Sequence, residues 1–360
     1  MKNVVNLLQQ LVEIPSAYPN EQAIGTFLYD LLCTNGFEVE KHYIRENRFN
    51  ILATKGRSNQ QSICFYGHMD TVAVNETEWK TNPYELEVKN KKAFGCGAFD
   101  MKAGIAAFIE ATKNSTQYIK LFLAVDEEYI SEGAWNAFDD RKDFFSDVKL
   151  FISAEPNFEG NLNNITTGRT GRCVVNVEFT GKEAHIAKFQ DGQDAAEMMG
   201  EFLSIFYKNR FKLFNSPETV ALVRKVSGES NGMSVCAQTQ LEIEIFLAHP
   251  DTSESTISAI ESISSSAKVF LKPRKTPYLS AYQFDKFPLQ QEIAEIIKAE
   301  TGSPMILSRR SSVGDDNVLA QLGIPVITWG PDGGNAHSAN EYVDLSSLEI
   351  LYKMYVKILQ

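Results

Sequence analysis

Two histidines and five acids sit where apolar runs stop. His68 and Asp70 fall in "GHMD", directly after "SICFY"; Asp100 lies in "GAFDMK" and Glu127 with Glu128 after "LFLAVD". Glu155 follows "KLFIS" in "SAEPN", and His337 lies in "NAHSANE". In open α/β sheets, sites gather at the carboxyl ends of strands, so these segments can converge although they are far apart in the chain. Two uncompensated carboxylates closing an apolar run would be costly to bury. Two histidines and three carboxylates are enough to hold a pair of zinc ions, with one carboxylate bridging. Each residue alone has an ordinary explanation: a structural histidine, a solvated "EE" pair, an N-cap aspartate, a turn glutamate before proline. The conjunction favours the metal reading.

The elements needed to position these residues follow from the apolar pattern. The chain has 360 residues, beyond the size at which single cores stop growing, so two domains are expected. The amino terminus, "MKNVVNLLQQLVEIPS", spaces its valines and leucines as an amphipathic helix and lacks a signal peptide's unbroken apolar core. "NEQAIGTFLYDLLCTNGF" is predicted as a second helix, with Asn20 as N-cap and Gly36 just past its end. "FNILATKG", "SICFYG", "YIKLFLAVD" and "KLFISAE" are predicted strands, with "DMKAGIAAFIEATKN" as a helix among them. Near-continuous apolar strands separated by helices indicate a mixed, mostly parallel sheet covered on both faces. Around residue 168 the strands begin to alternate, and the order becomes strand–helix–strand–strand–helix–strand, a ferredoxin-like α+β pattern. The α/β rhythm returns from "FPLQQEIAEIIKAETG" onward. The expected organisation is therefore a catalytic domain of residues 1–167 and 276–360, interrupted by a smaller domain at 168–275.

Composition narrows the partners. A net charge of −11 argues against binding nucleic acid or an anionic membrane, and no apolar run is long enough to span a bilayer. Five dispersed cysteines with no CxxC suggest reduced thiols and a cytoplasmic protein.

Taken in order, "GHMDTV", "GCGAFDMKAG", "DEE", "AEPN", "GKEAH" and "GPDGGNAHSANEYV" resemble the co-catalytic zinc metallopeptidase and deacylase family. That family contains acetylornithine deacetylase, acetylcitrulline deacetylase, succinyl-diaminopimelate desuccinylase and glutamate carboxypeptidase. The resemblance implies a zinc-peptidase-like catalytic domain holding two divalent ions, Zn first, with Co or Mn as alternatives. It implies that His68 and His337 bind one ion each, that Asp100 bridges them, and that Glu128 and Glu155 complete the two sites. Asp70 would orient the His68 ring through its second N–H. Glu127 would be the general base, taking the attacking water's proton and handing one to the leaving amine. His185, in the inserted domain, would stabilise the oxyanion, often in the partner subunit's site, which implies a homodimer through that domain. A cis peptide after Asp100 is also implied.

The family pattern is broken in the small domain. Relatives carry an Asn-x-x-Pro stretch, then an Arg that grips a substrate carboxylate; an ungapped count places Met233, Cys236 and Phe246 there. Arg309 and Arg310, before "SSVGDDN", are candidate replacements, with Asp315 at the family's Gly-Thr-Ser-Asp aspartate; all three are expected to contact substrate. Cys96 stands where relatives often have Arg. The expected activity is removal of an acyl group from a small N-acylated amino acid, most like the acetylornithine and acetylcitrulline deacetylases of arginine biosynthesis. The alternatives are succinyl-diaminopimelate desuccinylase or a lysine-biosynthetic deacylase, a metallo-exopeptidase, and a catalytically silent ligand-binding homologue. The intact ligand set and Glu127 speak against the last.

Overall fold

The computed structural model describes residues 1–56, 61–158 and 160–360. The chain forms two compact units. One comprises Met1–Gly168, Phe284–Arg309 and Gly314–Gln360; the other comprises Arg169–Gln283 with Arg310–Val313. The second unit thus continues past the expected limit of 275, because Tyr278 and Ala281 pack against its core.

The first unit is built on a mixed α/β sheet. Its central strands run in the order Ile119–Ala124, Ser62–His68, Val148–Ser153 and Val326–Thr328, all parallel. On one side Arg48–Lys55 and then Glu38–Arg45 extend the sheet in antiparallel pairing. The strands Ser62–His68 and Ile119–Ala124 are buried at every position, which explains their unbroken apolar sequences. The helix Ala103–Thr112 is buried along its whole length and packs against Lys2–Val12 and Leu345–Ile358. The second helix spans Gln22–Thr34, and Gly36 just beyond it adopts the left-handed conformation, at φ 80°. Asn20 does not cap it. Glu21 occupies the cap position without a side-chain cap bond, its carboxylate being held by Arg48 instead.

The second unit is a four-stranded antiparallel sheet ordered Val220–Gly228, Gln238–Leu247, Gly171–Thr180, Ala267–Leu271. Together with its strand–helix–strand–strand–helix–strand order, this is the ferredoxin-like arrangement. Cys173, Val175, Val177 and Phe179 alternate onto the face that packs with Phe202, Phe206 and Ile260 of its two helices. The opposite face carries ion pairs, including Arg172–Glu244 and Lys272–Glu242. Among the described residues, no helix is long and apolar enough to cross a membrane.

Candidate metal centre

Strand order decides which acids meet. Ile119–Ala124 and Val148–Ser153 flank Ser62–His68 in parallel, with Ala124 opposite His68 and Ser153 opposite Tyr66. Neighbouring strands lie only about 4.8 Å apart, so the chain leaving each one places Glu127 and Glu128, His68 and Asp70, and Glu155 side by side. The approach around Glu155 is tight. A Cβ on Gly330 would come within 1.9 Å of the Glu155 carbonyl oxygen, so only glycine fits there.

Asp100 sits in the turn Ala98–Lys102 that feeds the helix Ala103–Thr112, and the Asp100–Met101 peptide is cis. Its two carboxylate oxygens face opposite imidazoles. Oδ1 lies 3.1 Å from His68 Nε2, and Oδ2 lies 3.2 Å from His337 Nε2. Glu155 Oε1 is 3.4 Å from the same His68 nitrogen, and Glu128 Oε2 is 3.0 Å from the same His337 nitrogen. The result is two triads, His68–Asp100–Glu155 and His337–Asp100–Glu128, that share Asp100. All five residues expected to ligate metal therefore come together. Glu127 joins His68 and Glu128 in a third grouping of donor atoms.

This donor set suits divalent cations. Imidazole nitrogen and carboxylate oxygen are the ligand types of zinc and its neighbours. His68, Asp100 and Glu155 are buried, while His337 stays half-open, with its side chain 53% exposed. Such buried like charges need either protons or cations between them. Burial disfavours a charged His68, but the nearby carboxylates of Asp100, Asp70 and Glu155 outweigh it and hold the imidazole well above its ordinary range. Hydrogen bonds to Asp100 and then Glu128 raise His337 to about 10. Burial opposes the charge on Asp100 too, yet the two imidazoles hold its carboxyl well below the usual range. Glu127 shows the reverse: burial first, then the charge of Glu155, pushes its carboxyl well above the usual range.

The surrounding bonds hold these groups in place. Asp70 does so differently from the expectation. His68 Nδ1 lies 3.0 Å from the Asp70 carbonyl oxygen and 3.6 Å from its carboxylate, so the main chain takes the ring hydrogen bond. The carboxylate is occupied elsewhere, accepting from the amides of Glu127 at 3.2 Å and Glu128 at 3.0 Å. Asp70 thus ties the His68 strand end to the turn carrying both glutamates. Glu341 received no role from the sequence. Its carboxylate accepts from the amides of Gly97, Phe99 and Asp100, each at 2.8 Å, and so fixes the turn that presents Asp100. Its place in "HSANEYV" was the signal, but the amides it grips lie more than 240 positions away.

The other expected residues are not members of these donor groupings. Asp315, expected at substrate, is 1% exposed and accepts from the Tyr66 hydroxyl at 2.7 Å, so its carboxylate faces protein. Burial raises it to about 7. Arg309 is exposed on the strand Ile306–Arg310, whereas Arg310 is buried. His185 belongs to the second unit, where its ring is exposed and Nδ1 accepts from the Ala187 amide at 3.1 Å.

The model of peptidase family M20/M25/M40 matches residues 64–360. A curated relative, the succinyl-diaminopimelate desuccinylase of Helicobacter hepaticus, is 28% identical, over 99% of this chain and 96% of its own length. Among solved structures, the aminopeptidase PepT of Bacillus cereus aligns with a TM-score of 0.79 at 20% identity, covering 99% of this chain and 97% of that one. The Bacillus subtilis YXEP protein, described as a dinuclear metal binding peptidase, aligns with a TM-score of 0.72 at 16% identity, covering 99% and 97%.

Proposed function

Since the chain belongs to peptidase family M20/M25/M40 and is a metal-dependent hydrolase, we propose that it removes the acyl group of an N-acylated amino acid by amide hydrolysis. The carrying observation is the pair of imidazole–carboxylate triads sharing Asp100, with Glu127 beside them. His68, Asp100 and Glu155 would hold one divalent ion, and His337, Asp100 and Glu128 the other. When bound, such a pair lowers the pKa of water and polarises the scissile carbonyl. Glu127 accepts a proton from the attacking water and delivers it to the amine that leaves, so one half-buried carboxylate serves both steps. Asp70 keeps Glu127 and Glu128 at the end of the His68 strand through their amides.

The desuccinylase relative favours a succinyl or similarly small acyl group. Met233 and Phe246, at the positions of the Asn and the carboxylate-gripping Arg that related deacylases use to hold substrate, leave the amino-acid end to other residues, Arg309 and Arg310 being candidates. A panel of succinyl-diaminopimelate, acetyl-ornithine, acetyl-citrulline and a dipeptide tests the reading. We expect at least one acyl amino acid to exceed the dipeptide in kcat/KM by about tenfold or more, roughly 1.4 kcal/mol of transition-state preference. Faster cleavage of the dipeptide than of every acyl amino acid would establish an exopeptidase instead.

His185 is the candidate oxyanion donor, supported by its "GKEAH" motif and exposed ring. Its replacement by alanine should lower kcat by about 10²–10³-fold, the usual cost of losing one such donor. Unchanged turnover in the His185→Ala variant would remove it from the mechanism. A homodimer through the second unit is supported by the edge strand Val220–Gly228, where Val220, Leu222 and Val226 are 43%, 52% and 55% exposed. If His185 acts on a partner's site, mixed dimers of Glu127→Gln and His185→Ala chains recover activity that neither homodimer has.

A further inference from the structure

The turn carrying Glu127 and Glu128 is also fastened by residues with no assigned role. It begins at Asp126, a non-glycine residue at φ 73°, in the left-handed region. Side chains there adopt that conformation only when their surroundings enforce it. The Asp126 carbonyl accepts from the Ser131 amide at 2.8 Å, and its carboxylate accepts from the Glu132 amide at 2.9 Å. The other carboxylate oxygen, Oδ1, is met by Arg48 Nη2 at 3.3 Å.

Arg48 is buried and reaches both ends of this turn. Its fork grips Glu21 twice, Nε to Oε2 at 3.0 Å and Nη2 to Oε1 at 2.5 Å, which fixes the guanidinium plane. That plane lies over the Tyr18 ring, 4.7 Å from its centroid, and Tyr18 stacks on Tyr129 at 4.6 Å. Tyr129 immediately follows Glu128. One guanidinium therefore pairs with the residue before the two glutamates and, through Tyr18, supports the residue after them. Asp70 holds the two amides between these points.

We propose that Arg48 is a positioning residue that sets the Glu127 and Glu128 carboxylates, acting through Asp126 and through the Tyr18–Tyr129 stack. The inference rests on the reading of Glu127 as base and Glu128 as ligand. Its chemistry calls for arginine specifically: lysine keeps the charge but offers neither a planar fork nor a face to stack.

The test uses Arg48→Lys and Arg48→Met in the full chain, with two readouts. In metal-free protein, hydrogen exchange at the Glu127 and Glu128 amides should accelerate about tenfold or more in both variants, as local openings become easier. Amides of the strand Gln238–Leu247 in the other unit should keep their protection. In metal-loaded protein, kcat on the best panel substrate should fall about 10- to 100-fold, as expected for sub-ångström misplacement of a reacting group, with KM within about threefold. Tyr18→Ala should move both readouts the same way, and Tyr18→Phe, which keeps the ring, should restore them. Unchanged exchange at Glu127 and Glu128, or a rise shared equally by the other unit, overturns the proposal. So does Arg48→Lys with full kcat. Near-normal turnover of Glu127→Gln would defeat the base assignment instead, and the exchange readout would still decide the positioning.

Discussion

Replacing Glu127 by glutamine is expected to lower kcat by about 10²–10⁴-fold, roughly 3–5 kcal/mol of transition-state stabilisation, while both metal ions stay bound. Glutamine has nearly the shape of glutamate, and the amide contact to Asp70 is a main-chain bond that survives the exchange. On the proposed reading, the lost function would be proton transfer alone. Neither triad contains Glu127, so occupancy measured by elemental analysis should remain at two ions per chain. Glu128→Gln makes the contrasting control. Its Oε2 lies 3.0 Å from His337 Nε2, so its loss weakens the His337 triad and should lower occupancy. If Glu127→Gln turned over normally, another group would have to be the base. If Glu128→Gln kept both ions, the roles of these adjacent glutamates would need to be exchanged.

Asp100→Ala should be the most damaging single change to the metal centre. Asp100 is the one residue common to both triads, each of its oxygens facing a different imidazole. On the proposed reading, its removal would subtract a ligand from both sites at once. Activity should fall about 10³-fold or more, since the charge stabilisation supplied by bound metal is worth several kcal/mol. Stability gives an independent reading. A ligand that binds only the folded chain stabilises it by about 2.7 kcal/mol per site at a hundredfold excess over Kd. Added Zn should therefore raise the wild-type Tm by several degrees, and a chelator should reverse the shift. Asp100→Ala should show little response to either. A variant that keeps both ions and the full metal-dependent rise in Tm would show that Asp100 does not bridge the sites.

The kinds of element and the candidate chemistry are legible along the chain. Apolar continuity in "LFLAV" and "SICFY" and alternation in "GRCVVNVEFT" are local properties, set by whether a strand is buried on one face or two. They were enough to separate the parallel α/β part from the ferredoxin-like insert. His68, Asp100, Glu127, Glu128, Glu155 and His337 were legible because each adjoins an apolar run or lies in a family motif. How they are held follows from the packing of distant segments. The ring of His68 bonds the Asp70 carbonyl because the carboxylate is taken by two amides from a neighbouring strand end. Asp315 faces Tyr66, 249 positions away, and is buried there. Glu341 fixes the Asp100 turn, and Arg48 joins Glu21, Tyr18 and Asp126 in one cluster. Such choices depend on which donor comes within about 3 Å of which acceptor. That distance is set by the packing of distant segments against one another, and no local pattern along the chain encodes it.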